Sequence, residues 1–443
     1  MLEFLAMKKL GIYVQVPFCQ TKCTYCNFHT GVVASSRFQP YVEAVCREIR
    51  EHRELLGAAE VSWGKGLVGK AHSQGWLCHE LEVDTVYIGG GTPSLLDPAH
   101  VREILDSIRD AFGTVSPGGL GRSSAPPLQD DSASPSEVAK RPISEAGPYK
   151  SGIEEVTLEA DPETVEAEKA AAWVRAGINR VSFGVQSFVD RELVAAGRMH
   201  RRADICRAVP ILREAGIRNI SFDLIAGLPH QTKESWRQSL DELARLAPEH
   251  VSVYLLEIDE GSRLGKELLH GGGKYSAGAV PSEDEMAEFY EMAQEALGAA
   301  GYHHYEISNW AKPGFESKHN LKYWRREPYL GFGAGAHSFS GTERWANAHD
   351  AAAYVAAVQG GQLPIEQRER LTAESALEEE FFLGLRQLDG IDVARIEREY
   401  GVPVMARFDP LASAGLVEWD GSVVRLAEGK LSVSNEVFVE LMR

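Results

Sequence analysis

Short β-branched runs alternate with stretches of helical periodicity along most of the chain. Ile12–Val16, Val83–Ile88, Val156–Ala160, Arg180–Val185, Ile220–Ile225 and Val251–Ile258 read as strands. Tyr41–Leu56, His100–Phe112, Pro162–Ala176, Ala203–Ala215 and Ser235–Leu246 carry apolar residues at helical spacing, the last after polar residues suited to capping. Strands separated by helices predict a parallel α/β sheet with right-handed crossovers and ligands at the carboxyl strand ends. Six such units predict an open, partial (β/α)6 barrel of TIM type. Two segments break the pattern, residues 57–80 and 114–152, the second rich in Ser, Pro and Gly; both read as insertions. A strand-like run, Tyr302–Ile307, and a Gly-rich aromatic stretch ending near Trp345 follow the barrel. The helical Ser375–Arg386 and a β-like tail then suggest a small α+β C-terminal domain. The expected division is 1–310 for the barrel, 311–345 for a connecting segment and 346–443 for the appended domain.

Composition changes this picture little. At 443 residues, with 44% hydrophobic and 25% charged positions, the chain falls in the ordinary globular range. Its 46 basic and 64 acidic residues give a net charge of -18, the wrong sign for wrapping a phosphate backbone, so nucleic acid is not an expected partner. No run approaches the roughly 18 apolar residues of a membrane span, and Met1–Leu10 has neither a long apolar region nor an Arg-rich face. A reducing, cytoplasmic setting is expected. The mitochondrial matrix is the alternative, because long low-complexity insertions suit a eukaryotic chain.

Six cysteines are too few for a disulfide scaffold, yet Cys19, Cys23 and Cys26 fall within eight positions directly after the first strand. Three thiolates on one loop can wrap a compact soft-metal centre. Three ligands leave one iron of a four-iron cluster open to another ligand. The competing readings are three core cysteines, or a structural zinc site completed by His29. Cys46, Cys78 and Cys206 read as plain thiols. Gly64–Lys70 fits the first half of a P-loop, but Ala71 replaces its Ser or Thr and no strand precedes it, so nucleotide binding is not expected there.

Cys-x3-Cys-x2-Cys with Tyr25 before the last cysteine resembles the radical S-adenosylmethionine (SAM) signature, in the version of the anaerobic coproporphyrinogen III oxidase-like family. The resemblance runs from Leu10 to the C-terminus, outside the insertions, with further motifs at successive strand ends. It implies a [4Fe–4S] cluster on Cys19, Cys23 and Cys26, and a SAM amino group held by Gly90, Gly91 and Thr92 of Gly-Gly-Gly-Thr-Pro. Glu159 of Leu-Glu-Ala-Asp-Pro would bond the ribose. Gln186, and Arg198 as partner of the SAM carboxylate, follow the fourth strand. Asp223 would lie near the adenosyl moiety, and Tyr13 and Tyr25 would line the pocket. The cluster would pass one electron to SAM, cleaving it to methionine and a 5′-deoxyadenosyl radical, with an electron donor required.

Within the family the chain divides from the oxidative branch, which resembles Cys-x3-Cys-x2-Cys-x-Cys with a longer N-terminal arm. Phe28 stands at that fourth cysteine, and 18 residues precede Cys19. His319-Asn320-Leu-Lys-Tyr323-Trp324 resembles the motif of the HemW-type haem chaperones. That branch implies haem as ligand, haem-acceptor proteins, respiratory ones among them, as partners, and membrane association only through those acceptors. His319 is the implied iron ligand, with Tyr323 and Trp324 as flat apolar neighbours; His337 is a second candidate. On residue chemistry alone, His319 and Asn320 capping a turn and the aromatics filling a seam are equally open. The alternative function is oxidative decarboxylation of coproporphyrinogen III to protoporphyrinogen IX.

Overall fold

The structure is a computed structural model that describes residues 8–28, 30–58, 81–113, 153–427 and 429–441. His29, Cys78, the Gly64–Lys70 segment and nearly all of both expected insertions lie outside the described residues. Six strands, β1 (Lys8–Val16), β2 (Leu81–Gly90), β3 (Glu155–Ala160), β4 (Arg180–Gln186), β5 (Asn219–Ala226) and β6 (His250–Leu255), run parallel in sequence order. Between them lie helices α1 (Phe38–Ala58), α2 (Pro98–Phe112), α3 (Ala167–Ala176), α4 (Asp190–Ala195), α5 (Arg202–Ala215) and α6 (Lys233–Leu246). This is the partial six-unit barrel that the alternation predicts.

Packing follows from alternation within each strand. Ile220, Phe222 and Leu224 of β5 point outward into the apolar layer beneath the helices, and Val181, Phe183 and Val185 of β4 do the same. The helices meet them with one face: α2 buries Val101, Ile104, Leu105 and Ile108, spaced by a turn, behind an Asp97 side chain that accepts from Ala99 N–H. The inward positions are polar: Arg180, Ser182, Ser221, Asp223 and Ser252 all line the interior. A parallel strand covered on both faces ordinarily reads as continuously apolar. Polar residues at every second position therefore mark an interior built around a ligand.

The chain continues through α7 (Arg263–Leu269), α8 (Glu283–Ala299), β7 (His303–Glu306), β8 (Asn309–Ala311) and α9 (Lys318–Trp324). It then forms β9 (Tyr329–Phe332), β10 (His337–Phe339), β11 (Glu343–Asn347), α10 (Ala351–Gln359) and β12 (Ile365–Arg370). β8 and β7 extend the sheet antiparallel beyond β6, while β9 pairs parallel with β1 and leads to β10, β11 and β12. The main sheet thus runs through Arg370, and the expected boundary after residue 345 falls within β11. Last come α11 (Ala373–Gly384), β13 (Ile391–Asp392), α12 (Val393–Tyr400), α13 (Met405–Ser413), β14 (Val417–Asp420), β15 (Val423–Leu426) and α14 (Ser434–Leu441), built on a separate three-stranded sheet.

Two local expectations are corrected. The helix expected over Pro162–Ala176 is broken: Pro162–Thr164 form one tight turn, Val165 and Glu166 are extended, and α3 starts at Ala167. The strand expected through Ile258 ends at Leu255, and 256–262 form the loop leading to α7.

Candidate functional site

A cavity of about 1150 Å³ opens at the carboxyl ends of β1–β6. Cys19, Cys23 and Cys26 line it on the loop after β1. That loop is closed on itself, with Gly31 N–H donating to Pro17 O and Cys19 N–H to Gly31 O. It is pinned from outside by Thr24, whose N–H donates to Ala196 O and whose carbonyl accepts from Leu264 N–H. Burial pushes the Cys19 and Cys26 thiols up, as expected of ligands that release their protons only to a cation. Among the described residues no three His, Cys, Asp or Glu side chains converge where one metal ion would sit. In a polynuclear cluster each thiolate binds a different iron, so three thiols facing one cavity suit that donor set without converging on a point.

The glycine turn after β2 abuts this loop. Gly91 N–H donates to Val16 O, and Thr92 N–H to Phe18 O. A Cβ on Gly91 would lie 2.4 Å from the Phe18 carbonyl, and Gly90 takes φ 114°, so this approach of backbone to backbone needs glycine. Gly90 N–H donates to Glu159 Oε2 at 2.8 Å, and Tyr87 Oη donates to Oε1 at 2.9 Å. Burial pushes Glu159 up to about 7, against the pull of those two donors. Gln186 ends β4 with φ 63°, a left-handed backbone that costs a side-chain-bearing residue about 1 kcal/mol or more. Asp223 accepts from Ser182 Oγ at 3.2 Å, and burial raises its pKa.

Arg198, expected to pair with the SAM carboxylate, lines the same cavity. Its guanidinium is ion-paired to Asp161, donates to Gly184 O at 2.9 Å and reaches Cys23 Sγ at 3.4 Å. It therefore links the cysteine loop to β3 and β4 while lining the cavity. Tyr25, Gly90, Gly91, Thr92, Glu159, Gln186, Arg198, Asp223 and Asn320 are gathered with the cysteines around this space. Tyr13 is not among the lining residues; it stacks on Tyr87 at 6.0 Å and donates to Gln15, one layer behind the cavity wall. Sequence reasoning missed Tyr87, Asp161 and Arg180, whose signal was inward polar alternation and, for Asp161, its place two residues after Glu159.

The segment that carries His319 reaches this cavity only with Asn320. It forms α9, whose N-terminal amides at Lys318 and His319 donate to the Glu155 carboxylate at the amino end of β3. His319 is fully buried, with Nδ1 bonded to Thr85 Oγ1 at 2.9 Å and Nε2 to Tyr323 Oη at 2.8 Å. Burial, then Lys322 and Arg180, push its pKa down to about 3, so the ring is neutral. Neither nitrogen faces open space in this arrangement, which departs from an exposed iron ligand. Tyr323 packs edge-on against Tyr329, and Trp324 against Tyr305. His337 is exposed on β10, 6.5 Å from His349 and away from the cavity lining.

The fold and the cysteine loop define a radical SAM protein, and a profile of the Radical SAM superfamily matches residues 76–243, with the HemN C-terminal domain at 371–428. The chain belongs to the HemW family. It is 33% identical to heme chaperone HemW of Bacillus subtilis (strain 168) over 96% of this chain and 97% of that protein. It is 31% identical to the mouse mitochondrial radical S-adenosyl methionine domain-containing protein 1 over 75% of this chain and 61% of that one. Its fold matches coproporphyrinogen III oxidase (HemN) from Escherichia coli, with a TM-score of 0.75 over 99% of this chain and 91% of that chain at 19% identity.

Proposed function

We propose that the chain is a haem chaperone that holds a [4Fe–4S] cluster on Cys19, Cys23 and Cys26, binds SAM beside it, and passes haem to acceptor proteins. The observation that carries this reading is the likeness to heme chaperone HemW over nearly the whole length, cysteine loop and C-terminal domain included. Bound to such a cluster, SAM supplies one-electron chemistry. The chain's own residues position it. Gly90, Gly91 and Thr92 offer a close backbone wall, Glu159 keeps acceptor capacity for ribose hydroxyls beyond its two donors, and Arg198 fixes the Cys23 thiol. Tyr25, Gln186 and Asp223 line the remainder of the SAM pocket, with Tyr13 supporting it through Tyr87.

For haem, the cavity mouth offers what a flat macrocycle needs. Phe28, Met199, Leu255 and Ile258 line it as exposed large apolar side chains, Phe28 being 66% exposed. Ligation of haem iron by His319 requires its Nε2 to leave Tyr323, so in this reading α9 must loosen, with Asn320, Tyr323 and Trp324 moving alongside. An electron donor and haem acceptors, respiratory proteins among them, complete the scheme. No helix among the described residues is long and apolar enough to cross a membrane. The cytoplasm, or the mitochondrial matrix in a eukaryotic cell, is the proposed setting, with membranes reached through acceptors.

The test is anaerobic reconstitution followed by haem titration and mixing with an apo-acceptor. Haem bound and then transferred supports the proposal. Decarboxylated porphyrinogen formed from coproporphyrinogen III, SAM and reductant would replace it with the oxidative alternative.

A further inference from the structure

Arg180 begins β4 and faces the barrel interior, one inward step below Ser182, which is in register with Glu159. That step is about 7 Å along a strand, so Arg180 sits beneath the Gly90–Glu159 layer. Its side chain is 2% exposed, yet no described residue accepts a hydrogen bond from it or pairs with it as an ion, and its buried Nε is unpartnered. The other interior arginines behave otherwise: Arg198 is held by Asp161, and Arg386, at the same cavity, by Glu306.

The surroundings supply no direct anionic partner. His250 is buried, with Nδ1 bonded to Ser221 and Nε2 to Tyr305; His319 is likewise sealed, and burial keeps both rings neutral. Asp223 lies within electrostatic range of Arg180 but makes no ion pair with it and is held by the hydroxyls of Ser252 and Ser182. A guanidinium removed from bulk water without a direct ion pair is costly to keep. The fold retains one here on the wall of a cavity, with the hydroxyl of Ser221 and the amide of Asn320 lining the same space.

We infer that Arg180 anchors the carboxylate of a ligand that reaches into the barrel below the cysteine and glycine loops, with Ser221 and Asn320 as neutral partners. The guanidinium fork suits a carboxylate bidentately. Two sources carry that group in the proposed function: the amino-acid end of SAM and a propionate of the porphyrin. Only the choice of source rests on that function.

The test compares the full chain with Arg180→Met, which keeps an unbranched apolar stem and removes the charge. Sodium propionate, set against sodium chloride at equal ionic strength, is expected to raise the wild-type Tm and leave the variant unmoved. Without additive, Arg180→Met is expected to melt above wild type, because a buried charge with no direct partner has gone. A variant that fails to fold or melts lower shows a structural role and overturns the inference. So does propionate that shifts both proteins or neither, the latter meaning water alone fills the site. Binding of SAM against decarboxylated SAM, and of haem against haem dimethyl ester, then names the source. The acid is expected to be preferred at least tenfold in wild type, and the preference to vanish in Arg180→Met, for one pair only. Vanishing in neither pair assigns the site to a free carboxylate. Wild type that binds neither SAM nor haem while propionate still acts removes the chaperone reading and leaves the anion site standing.

Discussion

The carboxyl and amino ends of the barrel interior hold equally polar residues in opposite states. At the carboxyl end the thiols, the strained Gln186 and the raised Glu159 face a cavity. At the amino end His319, Thr85, Tyr323 and Glu155 satisfy one another, with Lys322 held between Asp84 and Glu327, and Arg180 at the start of β4 is the exception. Polar groups closed on each other stiffen a structure; polar groups left facing space await a ligand. Of the motif implied for haem, His319, Tyr323 and Trp324 thus belong to the closed end, and Asn320 and the cysteines to the open one.

The comparison breaks most completely at the cysteines. Cys23→Ser is expected to abolish the visible charge-transfer band and the roughly four irons of the reconstituted protein, with little change in the melting of the apo-protein. Iron analysis and absorption spectra check this. His319→Ala should do the reverse. It empties a fully buried position and leaves Thr85 and Tyr323 unpaired, so denaturant unfolding should show a loss of about 2–4 kcal/mol while cluster assembly persists. A variant as stable as wild type would mean the closed end is not a structural plug.

A pH measurement sharpens the contrast. Glu159 has a folded pKa of about 7 against an ordinary 4.5, so the folded state binds more protons between those values. Its contribution to stability therefore falls as pH rises from about 4.5 to 7 and is level above. Glu159→Gln should flatten part of that slope; Glu48, also raised to about 7 by burial, retains its share. SAM binding, measured by equilibrium dialysis, should strengthen a few-fold through pH 7 in wild type and stay level in Glu159→Gln, because the ionised carboxylate is the better acceptor. Smallest of all, Gln186→Gly should relieve backbone strain worth about 1 kcal/mol, seen in unfolding, while weakening SAM binding.

How far the sequence discloses this molecule differs by region. The six parallel strands were legible because their outward residues are apolar and their helices carry a regular stripe, as in α2. The cysteine loop was legible because three thiols in eight positions have few structural uses. The break before α3 was not, since Pro162 is compatible with either a helix start or a tight turn. Of the antiparallel extensions, β8 and β10 were missed because they are only three residues long, and β12 because its positions are largely exposed, so no apolar alternation marks it. α8 carried a readable signal, Ser282 and Glu285 forming a capping box, that the strand–helix alternation did not require. His319 illustrates the opposite limit: a residue type suited to iron tells nothing of whether its nitrogens are already bonded.

The most direct measurement follows haem itself. The anaerobically reconstituted chain, loaded with haem and mixed with an apo-acceptor, is watched through the Soret band, while a parallel sample receives coproporphyrinogen III, SAM and reductant. The account predicts haem appearing in the acceptor and no decarboxylated product. Product without transfer would contradict it.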